Sequence, residues 1–287
     1  MNGRILRVVS KDYRIELENG EIVDAMLQGK VRLQMTPAAG DFVEAQFLDS
    51  RWMVHRILPR KNHLIRPFVA NVDQALIVMS VHDPEFSDVL IDRLSFLIVH
   101  AGIEPVLIVT KCDLGIDDET ERKIREYENG PMKVVRTARD TLDESLKDLL
   151  SGRISVLTGQ SGAGKSTLLN KLEPSFRLKT QEISKALGRG KHTTRHNELH
   201  RVAGGYVADT PGFSSLDFNR MNAVDLYESV QEFRPYIGQC RFNDCVHENE
   251  PGCAVKEAVD SGQIPETRYR NYLAVLKLIK NRKERYL

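Results

Sequence analysis

A glycine-rich run, Gly159-Gln160-Ser161-Gly162-Ala163-Gly164-Lys165-Ser166, has the residue types needed to wrap a chain of phosphates. Its glycines let successive backbone N–H groups turn inward, Lys165 reaches the terminal phosphates, Thr167 is a further nucleotide-binding candidate, and the Ser166 hydroxyl can ligate Mg²⁺. The apolar stretch 154–158 precedes the run and a helical stretch, 167–172, follows it. Strand, loop and helix in that order are the context such a loop requires, so a nucleoside triphosphate bound with Mg²⁺ is the expected ligand.

The base is addressed by Thr110-Lys111-Cys112-Asp113, at the end of an apolar stretch where ligand contacts gather in α/β sheets. A carboxylate accepts from both N1–H and the N2 amino group of guanine, whereas adenine offers it only a lone pair. Asp113 can also be read as a simple cap of the following turn, and it is the pairing with the phosphate loop that favours guanine. Asp209-Thr210-Pro211-Gly212 supplies a carboxylate for the magnesium shell and a glycine N–H for the γ-phosphate. Between the phosphate motifs lies a long polar segment, 178–197, containing Gly190-Lys191-His192-Thr193-Thr194; one of its threonines, taken as Thr194, could give Mg²⁺ a second hydroxyl. The order is unusual, because the base reader precedes the phosphate loop. The nucleotide domain is therefore expected to be circularly permuted, which compact domains with neighbouring termini tolerate.

A second chemistry lies further on. Cys240-x4-Cys245-x-His247-x5-Cys253 offers three thiolates and one imidazole, the number and softness that tetrahedral structural zinc prefers, with no position left for a catalytic water. One structural Zn²⁺ is expected, because the alternative of disulfides is disfavoured in a reducing cytoplasm.

The elements that must position these groups follow from changes of hydrophobic period. Segments 4–9, 13–17, 41–47 and 52–57 alternate between turn signals at Asn19-Gly20, Gly29 and Ala39-Gly40 and predict a small all-β barrel. Residues 59–67, rich in proline and basic side chains, read as a connector. From about residue 70, apolar strands alternate with helices, the pattern of a mostly parallel sheet covered on both faces. After Gly212 the strands give way to helices around the Cys/His cluster. With 287 residues, 41% hydrophobic and 28% charged, the chain is a globular protein of about two domains or slightly more, excluding a collagen, a coiled coil or a mostly disordered chain. No apolar run approaches a membrane span and no cleavable leader is evident, so a cytoplasmic location without membrane contact is expected. The formal net charge of +1 hides a basic tail: Arg268, Arg270, Lys277, Lys280, Arg282, Lys283 and Arg285 are candidate RNA phosphate contacts. In the barrel, Lys30, Arg32, Arg51, Trp52 and Arg56 are candidates too, although Trp52 reads equally well as core.

Motif order, phosphate loop, the Gly190–Thr194 stretch, the connector and the cysteine cluster together resemble the RsgA/YjeQ family of ribosome-dependent GTPases over essentially the whole chain. The resemblance implies an OB-fold at 1–66, a circularly permuted GTPase domain at 67–218 and a zinc-binding domain at 219–287. It further implies a monomeric GTP hydrolase acting late in maturation of the small ribosomal subunit, with that subunit and its rRNA as partners and GTP and GDP as ligands. Lys111 and Asp113 would then read guanine, with Thr137-Ala138 at the second base-contacting loop. Ordinary GTPases orient the attacking water with a glutamine where Phe213 stands here, and an apolar ring cannot do so. The family assigns that role to a histidine matching His192, with His196 and His200 as nearby rivals. Hydrolysis is accordingly expected to be slow until a partner orders the loop. A phosphotransferase with a small acceptor and a plain RNA-binding module are the competing readings.

Overall fold

The computed structural model describes residues 1–10, 12–29, 31, 35–65, 68–139, 144–173, 198–208 and 218–283. Five strands, β1 (Asn2–Val9), β2 (Asp12–Leu17), β3 (Ile22–Leu27), β4 (Phe42–Leu48) and β5 (Arg51–Ile57), close into a barrel in the order β1-β2-β3-β5-β4. The period-2 alternation sends Ile5, Tyr13, Ile15, Val43, Ala45 and Val54 into its core. Strand β3 escapes the alternation because its exposed face carries the apolar Ile22 beside Asp24, yet the left-handed Gly20 turns the chain back so that β3 pairs with β2. Part of the expected connector is itself paired: β6 (His63–Ile65) lies antiparallel to β7 (Phe68–Ala70).

The second sheet has six strands in the order β10-β9-β8-β11-β13-β12. They are β8 (Gln74–Ser80), β9 (Glu104–Thr110), β10 (Lys133–Arg136), β11 (Ile154–Thr158), β12 (Leu199–Val202) and β13 (Gly205–Ala208). Every residue of β8 and β11 is buried, as strands covered on both faces require. The β10–β9 and β11–β13 pairs are parallel, and β12 runs antiparallel to β13. The helices are α1 (Asp88–His100), α2 (Asp118–Glu128), α3 (Glu144–Leu150), α4 (Lys165–Leu172), α5 (Ala223–Glu228), α6 (Ala254–Asp260) and α7 (Glu266–Lys283). Among the described residues after 217 there is no strand.

Two compact units divide the chain. One comprises Met1–Ala75, Leu142–Thr158 and Lys165–Gly212. Within it the barrel holds the β12–β13 hairpin through side chains far apart in sequence. Tyr206 donates its hydroxyl to Glu16, Arg201 pairs with Glu16, and the Arg4 guanidinium sits 4.7 Å from the Phe42 ring centre and 4.8 Å from that of Tyr206. The other unit comprises Leu76–Thr141, Gly159–Gly164 and Phe213–Leu287. Its helical core gathers Phe96 of α1, Phe233 and, from α7, Tyr272, Val275, Leu276 and Ile279.

Candidate nucleotide-binding site and metal centre

The phosphate loop is shaped by glycines that no other residue could replace in place. Gly159, Gly162 and Gly164 all have φ in the left-handed half of the map, at 123°, 84° and 92°. A Cβ on Gly159 would lie 2.1 Å from the carbonyl oxygen of Val78, so the close passage of the loop over β8 also forbids a side chain. Helix α4 begins at Lys165 directly after the loop, with Ser166 in its first turn, and buries Leu168, Leu169 and Leu172. Burial lowers the pKa of the Lys165 ammonium, a cost that a triphosphate's charge would relieve.

Thr110 closes β9, but its hydroxyl is turned inward, 2.7 Å from the Ala163 carbonyl and 3.2 Å from that of Met79. What it contributes here is a brace under the phosphate loop. After it the backbone turns sharply: Lys111 is left-handed at φ 62°, and Cys112–Leu114 form a short 3₁₀ turn ending at Gly115. The Asp113 carboxylate accepts from the Arg139 backbone N–H at 2.9 Å. Behind it the Cys112 N–H donates to the Thr137 carbonyl at 3.2 Å, and the Thr137 N–H to Val109 at 2.7 Å. The segment Thr137-Ala138-Arg139 and the Lys111–Asp113 turn are thus bonded to one another. Cys112 is a half-buried filler whose thiol pKa burial raises. His192, Thr194, His196, Asp209, Gly212 and Phe213 lie outside the described residues. Of the rival histidines only His200 is described, on β12.

The cysteine cluster assembles as a closed set. Nδ1 of His247 lies 3.5, 3.4 and 3.4 Å from the sulfurs of Cys240, Cys245 and Cys253, and Cys240 Sγ is 3.9 Å from Cys253 Sγ. A tetrahedral ion with metal–sulfur bonds of about 2.3 Å and a metal–nitrogen bond of about 2.0 Å demands edges of about 3.5–3.8 Å, close to these four separations, and all four ligand atoms lie within 4.8 Å of one another. The His247 N–H points at Cys245 Sγ, at 3.4 Å, as it would toward a thiolate. Burial pushes the Cys245 thiol up to about 12, so a cation is needed to hold these sulfurs deprotonated. The loop that bends around the site is pinned by Tyr269, whose hydroxyl donates to the His247 carbonyl at 2.9 Å, and by Glu250, which accepts from the N–H groups of Val246, Glu248 and Asn249. His247 itself is packed edge-on to Tyr227 and Phe233.

The basic tail is largely committed elsewhere, which corrects the reading of it as a phosphate-binding run. Arg268 is buried, pairing with Asp92 and, at 2.8 Å, with Glu232, while its guanidinium lies 4.3 Å from the Tyr127 ring centre. Arg282 donates to the carbonyls of Phe218 and Met221, and Lys280 pairs with Glu248. Arg270 and Lys277 remain exposed; the side chain of Lys283 and the whole of Arg285 lie outside the described residues. In the barrel Lys30 and Arg32 are also outside them, Arg51 is exposed, Arg56 is 3.5 Å from Glu44, and Trp52 is half-buried. Sequence reasoning missed Phe47, 57% exposed and edge-on to Trp52 at 5.7 Å; its place opposite Trp52 across a two-residue turn was the available signal.

A glycine-rich loop after β11, the Lys111–Asp113 turn after β9 and motif order reversed along the chain define a circularly permuted P-loop GTPase. The RsgA GTPase family model matches residues 57–219. A small ribosomal subunit biogenesis GTPase RsgA from Geobacillus sp. (strain WCH70) is 44% identical over 292 residues, covering 99% of each chain, and one from Streptococcus pyogenes is 42% identical, covering 100% of this chain and 98% of that one. Among solved structures, YloQ, described as a circularly permuted GTPase, matches with TM-score 0.84 at 34% identity over 98% of this chain and 95% of its own. YjeQ from Thermotoga maritima matches with the same TM-score, 0.84, at 37% identity over 97% and 98%. This chain belongs to the RsgA GTPase family and is a GTP-hydrolysing enzyme. Among the described residues, no helix is long and apolar enough to cross a membrane.

Proposed function

We propose that this protein hydrolyses GTP while maturing the small ribosomal subunit, binding its rRNA in one nucleotide state and leaving in the other. The observation that carries the reading is the mutual bonding of the Lys111–Asp113 turn and the Thr137–Arg139 segment, with Thr110 bracing the phosphate loop from the same strand end. Such a framework suits a base reader. Gly159–Ser166 and Thr167 hold the phosphates, Ser166 and Thr194 flank Mg²⁺, Asp209 and Gly212 respond to the γ-phosphate, and His192 orients the attacking water. Residues 1–66 with Arg51, Trp52 and Phe47 offer RNA a stacking surface, residues 67–218 bind nucleotide, and residues 219–287 hold one Zn²⁺. A ribosomal partner implies work in the cytoplasm, and we read the chain as a monomer.

Asp113→Asn tests the base assignment. Equilibrium titration is expected to show GTP weakened by about 100-fold or more and xanthosine triphosphate gaining, since xanthine's C2 carbonyl oxygen, an acceptor in place of guanine's N2 amino group, now meets an amide donor. Undiminished guanine selectivity would count against the assignment. Single-turnover hydrolysis is expected to rise when small subunits are added; a rate that stays flat would count against the ribosomal role.

A further inference from the structure

The loop leaving β8 touches both neighbours of the base without belonging to any nucleotide motif. The Lys111 ammonium donates to the His82 carbonyl at 2.9 Å and to that of Asp83. The His82 ring returns to the far end of the same turn, with Nε2 3.0 Å from the Gly115 carbonyl. That ring nitrogen is the donor, because a carbonyl only accepts. On its other side the loop reaches the phosphate motif: a Cβ on Gly162 would meet Pro84 Cδ at 3.6 Å and the Asp83 carbonyl at 3.7 Å. Ser80 fixes the loop from within by donating to the Pro84 carbonyl at 2.6 Å.

We propose that His82 is a positioning residue for guanine recognition, holding the first and last residues of the Lys111–Gly115 turn at once through its carbonyl and its ring. The turn needs holding because Lys111 occupies left-handed backbone, which costs a residue with a side chain on the order of 1–3 kcal/mol. Asp113 lies between the two held ends, and its second oxygen must meet the base edge within hydrogen-bond tolerance for both guanine contacts to form. Loosening either end lets the carboxylate swing, so the contact to the N2 amino group suffers while the phosphates stay bound.

This inference rests on Asp113 reading the base, and the test separates the two. Binding of GDP and of inosine diphosphate, which lacks the N2 amino group, is measured by equilibrium titration for the full-length protein and for His82→Ala, His82→Gln and Asp113→Asn. His82→Ala is expected to weaken GDP about fivefold, one ordinary hydrogen bond's worth, to weaken inosine diphosphate less, and so to narrow the preference between them. His82→Gln, whose amide N–H reaches as far as Nε2, is expected to restore most of that preference. The melting temperature and the single-turnover rate at saturating GTP are expected to change little, because His82 is exposed and touches no phosphate motif directly with its ring. Equal weakening of both nucleotides by His82→Ala, or none, overturns the positioning role. Unaltered guanine preference in Asp113→Asn overturns the base reading itself, whatever His82 does.

Discussion

Chelation of the Zn²⁺ proposed for Cys240, Cys245, His247 and Cys253 is expected to unfold the region after residue 218, and Cys253→Ser is expected to do the same without a chelator. The cluster is not an ornament on a finished core. Cys245 and Cys253 are members of the same buried group as Phe233, Val255, Tyr272 and Leu276, so protonated, mutually unbonded thiols would sit where helices α6 and α7 meet the loop. Structural zinc in small domains contributes on the order of 10 kcal/mol or more at neutral pH, comparable with the whole stability of a domain. Tyr227, Tyr269 and Tyr272 surround the site, and near-ultraviolet circular dichroism should lose their signal as about one equivalent of Zn²⁺ appears in a colorimetric assay. An unfolding curve indifferent to the chelator, or protein prepared without metal and equally stable, would defeat the expectation.

Arg268→Leu is expected to destabilise the protein by about 3–5 kcal/mol, the cost of leaving buried carboxylates without their counter-charge. Asp92 is only 1% exposed and is shared among Arg268, the Tyr127 hydroxyl at 2.7 Å and the Asn271 amide at 2.6 Å. Glu232 is the second carboxylate that the guanidinium faces, and burial drives its pKa upward, so removing Arg268 deprives it of its ionised form as well. The loss should appear as a lowered urea midpoint with an unchanged slope. The double change Arg268→Leu with Asp92→Leu should recover part of it, since an apolar pair is often no worse than an ion pair in such surroundings. Arg270→Ala, on the exposed side of the same helix, should cost under about 0.5 kcal/mol. If Arg268→Leu instead folded normally and weakened binding to small subunits, the side chain would be an RNA contact after all.

Arg268 also marks where sequence reasoning stops. A cluster of cations in a helix reads as a solvated, phosphate-seeking face, because nothing local reveals that Asp92 and Glu232, remote in the chain, converge on one of them. The phosphate loop, the Thr110–Asp113 turn and the Cys/His cluster were legible because each is nearly contiguous, and the glycines, carboxylate and thiols announce their chemistry by type and spacing. The clamp on the β12–β13 hairpin was not, since Glu16, Arg201 and Tyr206 are ordinary surface types until the barrel brings them together. The same holds for His82, whose carbonyl does as much as its ring. Strand β3 illustrates a third limit: with Ile22 and Asp24 both outward and Ala25 its one buried residue, only the preceding Asn19-Gly20 turn hinted at a partner for β2.

The sole tryptophan of the chain is Trp52, half-buried beside Phe47 at one end of the barrel. Emission excited at wavelengths that spare tyrosine therefore originates from that hairpin alone. An unmodified sample carries its own optical gauge of whether a nucleobase has come to rest on the barrel, since stacking there would quench the indole.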